Sequence, residues 1–345
     1  MHRRPTIVTA VAALAASAAL LLSGCVAGEG SASGSTSSAG VTEGGTLNID
    51  FATYNPLSLV IKKEGWLEKA LKKQNITVNW VQSAGSNKAN EALRSGAIDV
   101  GSTAGSAALL ARANGSDIKT IDIFSQPEWS AIVVGPNSDI TSVAQLKGKQ
   151  IAATKGTDPY FFLLQALEAN GLSASDVTIQ NLQHADGWAA LQGGSVQAWS
   201  GLDPIMANAE KSGAKLIYRN VAFNTYGFLN ATESFLTSKP DVAQTVVNTY
   251  EYARAWALKH KDETAQILAE VAGIDPAVAT TVITQRTNLD VSNVPGSAQL
   301  KVLKKVGPIF VQSGDVRTQK DIDTALDSLL DPSFAKKADP SAIGG

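Results

Sequence analysis

Apolar and polar residues alternate along Thr46–Thr53 (TLNIDFAT), the period of a half-buried strand. Leu57, Val60, Ile61, Leu67 and Leu71 then recur at helical spacing between Pro56 and Lys73, with a break at Gly65. Ile76–Gln82 predicts a strand, Asn87–Ser95 a helix stopped by Gly96, Ile98–Gly101 a short strand and Ser106–Ala113 a helix. Ile118–Phe124 and Ser130–Val134 predict two more strands. After Gly135-Pro136 the pattern restarts. A short helix runs to Leu146, followed by strand Gln150–Thr154, helix Pro159–Ala169, strand Val177–Leu182, helix Gly187–Gln192, strand Val196–Ser200, helix Pro204–Ser212 and strand Lys215–Tyr218. Asn224–Asn230 predicts a last strand. The remainder reads as helices over Glu233–Ser238, Asp241–His260, Lys261–Ala272, Pro276–Thr284, Gly296–Ser313 and Gln319–Leu330. No fixed-period repeat is visible.

Strands alternating with helices predict an α/β fold of mostly parallel sheets, here in two blocks. Ligands in such sheets bind beyond the carboxyl ends of the strands, at the strand-to-helix turns. Those turns are small and polar. They are Thr53-Tyr54-Asn55-Pro56, Ser83-Ala84-Gly85-Ser86, Gly101-Ser102-Thr103-Ala104-Gly105-Ser106 and Thr154-Lys155-Gly156-Thr157-Asp158-Pro159. Each offers backbone N–H groups and hydroxyls at a helix N-terminus, which suits an anion. Ser, Thr and Asp there also serve simply as helix caps. Four such turns at equivalent places make the site the stronger reading. Its residues are Asn55, Ser83, Gly85, Ser86, Thr103, Gly105, Ser106, Lys155, Gly156 and Thr157. Tyr160 and Trp199 are expected against the apolar part of a ligand, and Trp129 is a further candidate wall of the cleft. Asp203 and Glu128 are candidates to hold an ammonium group, or equally act as caps or hinge charges. His184 could reach the cleft mouth, although a lone histidine is more often surface or core.

The chain has 345 residues, 17% of them charged and 44% hydrophobic, enough for a sizeable core. Lys plus Arg is 29 and Asp plus Glu is 31, so the basic excess of a nucleic-acid binder is missing. There are three histidines and one cysteine, which allows no intramolecular disulfide and argues against a zinc site. No cofactor is expected. The signatures Gly-x-Ser-x-Gly, His-Glu-x-x-His, Gly-x-Gly-x-x-Gly and the phosphate loop do not occur, so an enzyme is not expected. His2, Arg3 and Arg4 precede an apolar run from Ile7 to Leu22, and Leu22-Ser23-Gly24-Cys25 follows. This resembles the lipobox of bacterial lipoprotein signal peptides. The resemblance implies that residues 1–24 are removed and Cys25 is acylated, two acyl chains being enough for stable anchoring. Residues 25–45 then form a flexible Gly/Ser tether.

The order of Ser83-Ala84-Gly85, Glu91-Ala92-Leu93, Gly96-Ala97-Ile98-Asp99-Val100-Gly101, Leu146-Lys147-Gly148-Lys149-Gln150-Ile151-Ala152, Lys155-Gly156-Thr157, Leu167-Glu168-Ala169-Asn170-Gly171-Leu172, Ala185-Asp186-Gly187-Trp188-Ala189-Ala190, Gln197-Ala198-Trp199 and Asp203-Pro204 carries a family likeness over residues 46–275. It resembles the substrate-binding proteins of ABC importers for aliphatic sulfonates, taurine and nitrate. The resemblance implies a two-lobed periplasmic-binding-protein-like fold (type II). Lobe one would be residues 46–134 plus 226–335, lobe two residues 138–220, and the crossings would lie near 132–139 and 219–225. It also implies a monomer that captures a small organic anion, an aliphatic sulfonate first, for ABC permease subunits. Such a protein would be held on the outer face of the cytoplasmic membrane by its lipid alone. Nitrate, taurine and pyrimidine precursors are alternative ligands on that fold, and an extracellular hydrolase is a further reading. Ser83 replaces a frequent aromatic, and Ala104-Gly105-Ser106-Ala107 replaces a Gly-Asp with a nearby Pro. Both changes remove bulk or charge from the expected pocket.

Overall fold

A computed structural model describes residues 44–343; the signal segment, Cys25 and the tether as far as residue 43 lie outside them. The chain begins with β1 (Gly45–Phe51), α1 (Pro56–Glu64), α2 (Trp66–Leu71), β2 (Ile76–Gln82), α3 (Ser86–Ser95), β3 (Val100–Ala104), α4 (Gly105–Ala113) and β4 (Ile118–Ser125). It continues through β5 (Ser130–Val134), β6 (Gln150–Ala153), α5 (Asp158–Ala169), β7 (Thr178–Asn181), α6 (His184–Gln192), β8 (Ala198–Leu202), α7 (Ile205–Lys211) and β9 (Lys215–Tyr218). The last stretch is β10 (Gly227–Thr232) and helices α8 (Glu233–Ser238), α9 (Pro240–Lys259), α10 (Lys261–Ala272), α11 (Pro276–Thr281), α12 (Ser297–Gln312) and α13 (Gln319–Ser328), with a π-helical turn Val282–Arg286 after α11.

The strands form two sheets of equivalent order, β2-β1-β3-β10-β4 and β7-β6-β8-β5-β9. In the first, β1 runs parallel to β2 and β3, while β10 is antiparallel to both β3 and β4. In the second, β6 runs parallel to β7 and β8, while β5 is antiparallel to β8 and β9. Each sheet is therefore mostly parallel with one reversed strand, and that strand sits next to a crossing between sheets. The chain passes from the first sheet to the second over residues 126–129 and returns over residues 219–226.

The first crossing is thus earlier than residues 132–139. Ser130–Val134 is wholly buried and hydrogen-bonded within the second sheet, so the first lobe's strands before the crossing end at Ser125. Gly135-Pro136, which had suggested the break, opens the turn after β5, where Ser138 N donates to Gly135 O at 3.1 Å.

Local chemistry sets the helix ends. Pro56 at the first turn of α1 loses no hydrogen bond there, and Gly65 ends the helix at φ 65°. Gly96 closes α3 in the same way at φ 72°. Helix α5 is buried on almost every side, because it lies between the second sheet and helices α4 and α12 of the first lobe. Phe161 of α5 meets Phe310 of α12 with ring centroids 4.4 Å apart, so apolar packing continues across the lobes. No helix of the described residues is long and apolar enough to cross a membrane.

Candidate functional site

Asp158 binds together the elements that meet between the lobes. It opens α5 and is 1% exposed. Its Oδ1 accepts from Ser106 Oγ at 2.6 Å and from Thr225 Oγ1 at 2.7 Å. Its Oδ2 accepts from Thr225 N at 2.7 Å and from Trp129 Nε1 at 2.8 Å. Ser106 belongs to the first lobe, and Trp129 and Thr225 lie on the two crossings. Burial pushes the Asp158 carboxyl above its ordinary pKa, and the four donors oppose that shift. Ser106 N donates to Thr225 Oγ1 at 3.1 Å. The start of α4 was expected to cradle a ligand anion. Its Ser106 is instead satisfied by Thr225 and by the protein's own carboxylate.

Several other sequence-predicted residues are also committed elsewhere. Asn55 caps α1, accepting from Ser58 N at 3.4 Å and donating to the Tyr250 hydroxyl at 3.2 Å. Thr103 lies inside β3 rather than in a turn; its hydroxyl donates to Ala104 O and accepts from Asn230 Nδ2 at 2.8 Å. Gly105 N donates to Tyr226 O, and a Cβ there would come within 2.8 Å of the Phe228 ring. Thr157 Oγ1 donates to Thr154 O at 2.6 Å.

Trp199 packs within the core of the second sheet rather than walling the cleft. It has no exposed surface, and its indole nitrogen lies 2.7 Å from where a Cβ of Gly187 would stand. That missing Cβ is what admits the ring beneath α6. Lys155 and Tyr160 line an outer cavity of about 470 Å³ shared with Ile309 and Gln312 of α12. The Lys155 Nζ stands 5.7 Å from the Tyr160 ring centre.

Asp203 and Glu128 have cationic partners within the chain. Asp203 accepts from Arg286 Nη1 at 3.0 and 3.2 Å, and Arg286 also reaches Glu210. Glu128 pairs with Arg219 at 2.7 Å, which joins the two crossings.

Ser83, Gly85 and Ser86 remain, at the N-terminus of α3. Ser86 Oγ accepts from Ala104 N at 2.9 Å. Ser83 lies beside Asp50, a buried carboxylate that accepts from Ser102 N at 2.9 Å. Burial lifts Asp50 to a pKa of about 7, against the pull of Ser83 and Ser102. Gly85 faces His184, the first residue of α6 in the other lobe. A Cβ on Gly85 would stand 2.9 Å from His184 Nε2 and 2.8 Å from Asn87 Oδ1. Both of those atoms are buried without a hydrogen-bond partner among the described residues. Neither α3 nor α6 carries a side-chain N-cap bond. Two helix N-termini therefore oppose each other across the lobes, and their unsatisfied N–H groups and dipoles favour an anion between them. Gly156, at φ 77°, lies alongside, its Cβ position 3.6 Å from Asn87 Cβ.

The small polar turns of the sequence mark Gly85, Ser86, Ser106 and Thr157, which do lie where the lobes meet, but give no sign of Asp50, Asp158 and Thr225 as bonded centres. Helix α6 begins three residues before the expected Gly187, which puts His184 at the helix start. A histidine followed by Ala185-Asp186, with Asp in the first turn, was the available signal for that start.

Two sheets of equivalent order, joined by two crossings with helix N-termini meeting between them, define the periplasmic-binding-protein fold. The chain belongs to the NMT1/THI5-like family, which it matches over residues 59–264. It is 32% identical over 288 residues to a Bacillus subtilis protein named for aliphatic-sulfonate binding, covering 81% of this chain and 84% of that one. Among solved structures it resembles the alkanesulfonate-binding protein SsuA of Xanthomonas axonopodis pv. citri, bound to MOPS. That match has a TM-score of 0.74 and 27% identity, over 81% of this chain and 97% of the other. The periplasmic aliphatic sulphonate binding protein SsuA of Escherichia coli matches with a TM-score of 0.70 and 26% identity, over 84% and 92%.

Proposed function

We propose that this protein is the substrate receptor of an ABC importer, capturing an aliphatic sulfonate between its lobes and presenting it to the permease. The observation that carries this reading is the opposition of the uncapped N-termini of α3 and α6, with buried His184 Nε2 and Asn87 Oδ1 beside Gly85. A sulfonate is a spread-out anion that accepts several N–H bonds and needs no buried cation at such a site. In this reading Ser83, Gly85, Ser86 and Gly156 surround the ligand, while Asp158 and Asp203 hold the surrounding frame. The protein binds without consuming its ligand and acts as a monomer. It is anchored outside the cytoplasmic membrane through lipid on Cys25, the sole cysteine.

Titration calorimetry with ethanesulfonate, nitrate and sulfate tests the ligand class. The reading requires ethanesulfonate to bind most tightly and to be recovered unchanged. Binding of nitrate or sulfate in its place, or turnover of the sulfonate, would overturn it. For the anchor, Cys25→Ala should abolish acyl labelling, and unchanged labelling would remove it.

A further inference from the structure

The receptor reading leaves open which sulfonates fit, and the atoms around Gly85 narrow the class. Thr154 Oγ1 donates its one proton to Leu182 O at 2.7 Å. Its contact with His184 Nδ1 at 3.2 Å must then be one in which the hydroxyl oxygen accepts. Nδ1 therefore carries the imidazole proton and Nε2 presents a bare lone pair. His184 is 1% exposed, and burial holds its pKa down at about 4, so the ring is neutral near pH 7. Nε2 lies 2.9 Å from the Cβ position of Gly85, and Asn87 Oδ1, also an acceptor, lies 2.8 Å from the same point. Neither has a partner among the described residues. Two buried acceptors thus converge beside two helix N-termini that supply donors. An anion made only of acceptor oxygens satisfies the helices and leaves both acceptors unpaired, and a buried unpaired acceptor is costly.

We propose that this site selects sulfonates that carry a hydrogen-bond donor close to the anionic head, a hydroxyl or an ammonium, and that His184 Nε2 reads that donor. The proposal rests on the sulfonate-receptor reading above and adds its specificity. Asn87 Oδ1 supplies a second acceptor to the same group. Gly85 is required because a side chain there would press on both acceptors.

The test is calorimetry on the full folded protein with ethanesulfonate, 2-hydroxyethanesulfonate and 2-aminoethanesulfonate. At least one donor-bearing ligand should bind about tenfold or more tightly than ethanesulfonate, the size expected of one buried hydrogen bond. The two donor ligands separate a hydroxyl from an ammonium. In His184→Leu the ratio of affinities should fall by about threefold or more, the Asn87 oxygen keeping what remains. Equal affinity for all three ligands, or a ratio unchanged in His184→Leu, overturns the proposal while the sulfonate reading stands. Binding of none overturns both. A measurement on the unaltered protein guards against a variant that fails to fold. The ¹⁵N resonance of His184 Nε2 should move upfield when the preferred donor-bearing ligand binds and stay near its free position with ethanesulfonate. An Nε2 resonance that ignores the donor contradicts the proposal.

Discussion

The carboxylate of Asp158, on the second lobe, accepts a 2.6 Å hydrogen bond from Ser106 Oγ on the first. With Trp129 and Thr225 bound to the same carboxylate, one side chain ties both lobes to both crossings. Asp158→Asn turns one carboxylate oxygen into an amide that faces donors. The substitution should cost about 2–4 kcal/mol, since hydrogen bonds to a buried charged group are worth about 1.5–3 kcal/mol each. Denaturant unfolding measures this, and an unchanged midpoint would show that the four bonds contribute little.

Arg286, on the π-helical turn after α11, meets Asp203 on the second lobe. The two side chains are 5% and 4% exposed. Removing one partner leaves a buried charge uncompensated, so Arg286→Ala should destabilise by about 3–5 kcal/mol. Replacing Arg286 together with its buried partner, as Arg286→Met with Asp203→Leu, should recover most of that loss, because the carboxylate left behind, Glu210, is 34% exposed and reaches water. Urea midpoints of the single and double variants decide it. A double variant no better than the single would contradict this account of the pair.

The His184 ring titrates at about 4 in the folded protein, against an ordinary 6.5, because burial disfavours the charged imidazolium. The unfolded chain therefore binds more protons than the folded one between those values. Stability from this residue is fully present above pH 6.5 and is lost as pH falls towards 4. The loss relative to His184→Phe should approach about 3 kcal/mol over that window. Asp50 acts with the opposite sign. Its carboxyl, raised to about 7, binds a proton in the folded state first and adds stability on acidification from pH 7. Comparing His184→Phe and Asp50→Asn with the parent across pH separates the two. Parallel curves for the parent and His184→Phe would contradict the burial of this ring.

Gly85→Val tests the close approach of the lobes. Its Cβ would fall within 2.9 Å of His184 Nε2, nearer than ordinary contact allows. The two helix N-termini would be pushed apart. Ligand affinity should fall by more than about tenfold, while the first lobe keeps its fold. Thermal shift with saturating ethanesulfonate reads this directly; a shift equal to that of the parent would place the ligand elsewhere.

The element order could be read from the sequence because its signals are local. Gly96, Gly171 and Gly273 stop helices at positive φ, and Pro56, Pro159 and Pro276 sit in first turns, where they break no hydrogen bond. Strand partnership is not local. Ser130–Val134 looks alike whichever sheet it joins, and only its pairing with β8 and β9 assigns it to the second. The site was half visible for the same reason. Gly85 and Ser86 mark a small polar turn in the sequence itself. The bonds that remove Ser106 and Asp158 from ligand binding join residues 52 and 67 positions apart, which no window of sequence relates. Asp50 hides in an alternating strand: Thr46 is exposed and Asn48 half-buried at the same alternate positions, so nothing local marks Asp50 as the buried one.

The central claim is that a sulfonate sits between the N-termini of α3 and α6. A crystal structure of the protein grown with ethanesulfonate tests it most directly. The account predicts the sulfonate group at Gly85–Ser86, accepting from backbone N–H groups of both helices, with His184 against its organic end. A sulfonate found instead in the outer cavity lined by Lys155 and Tyr160, or at the Asp158 junction, would contradict it.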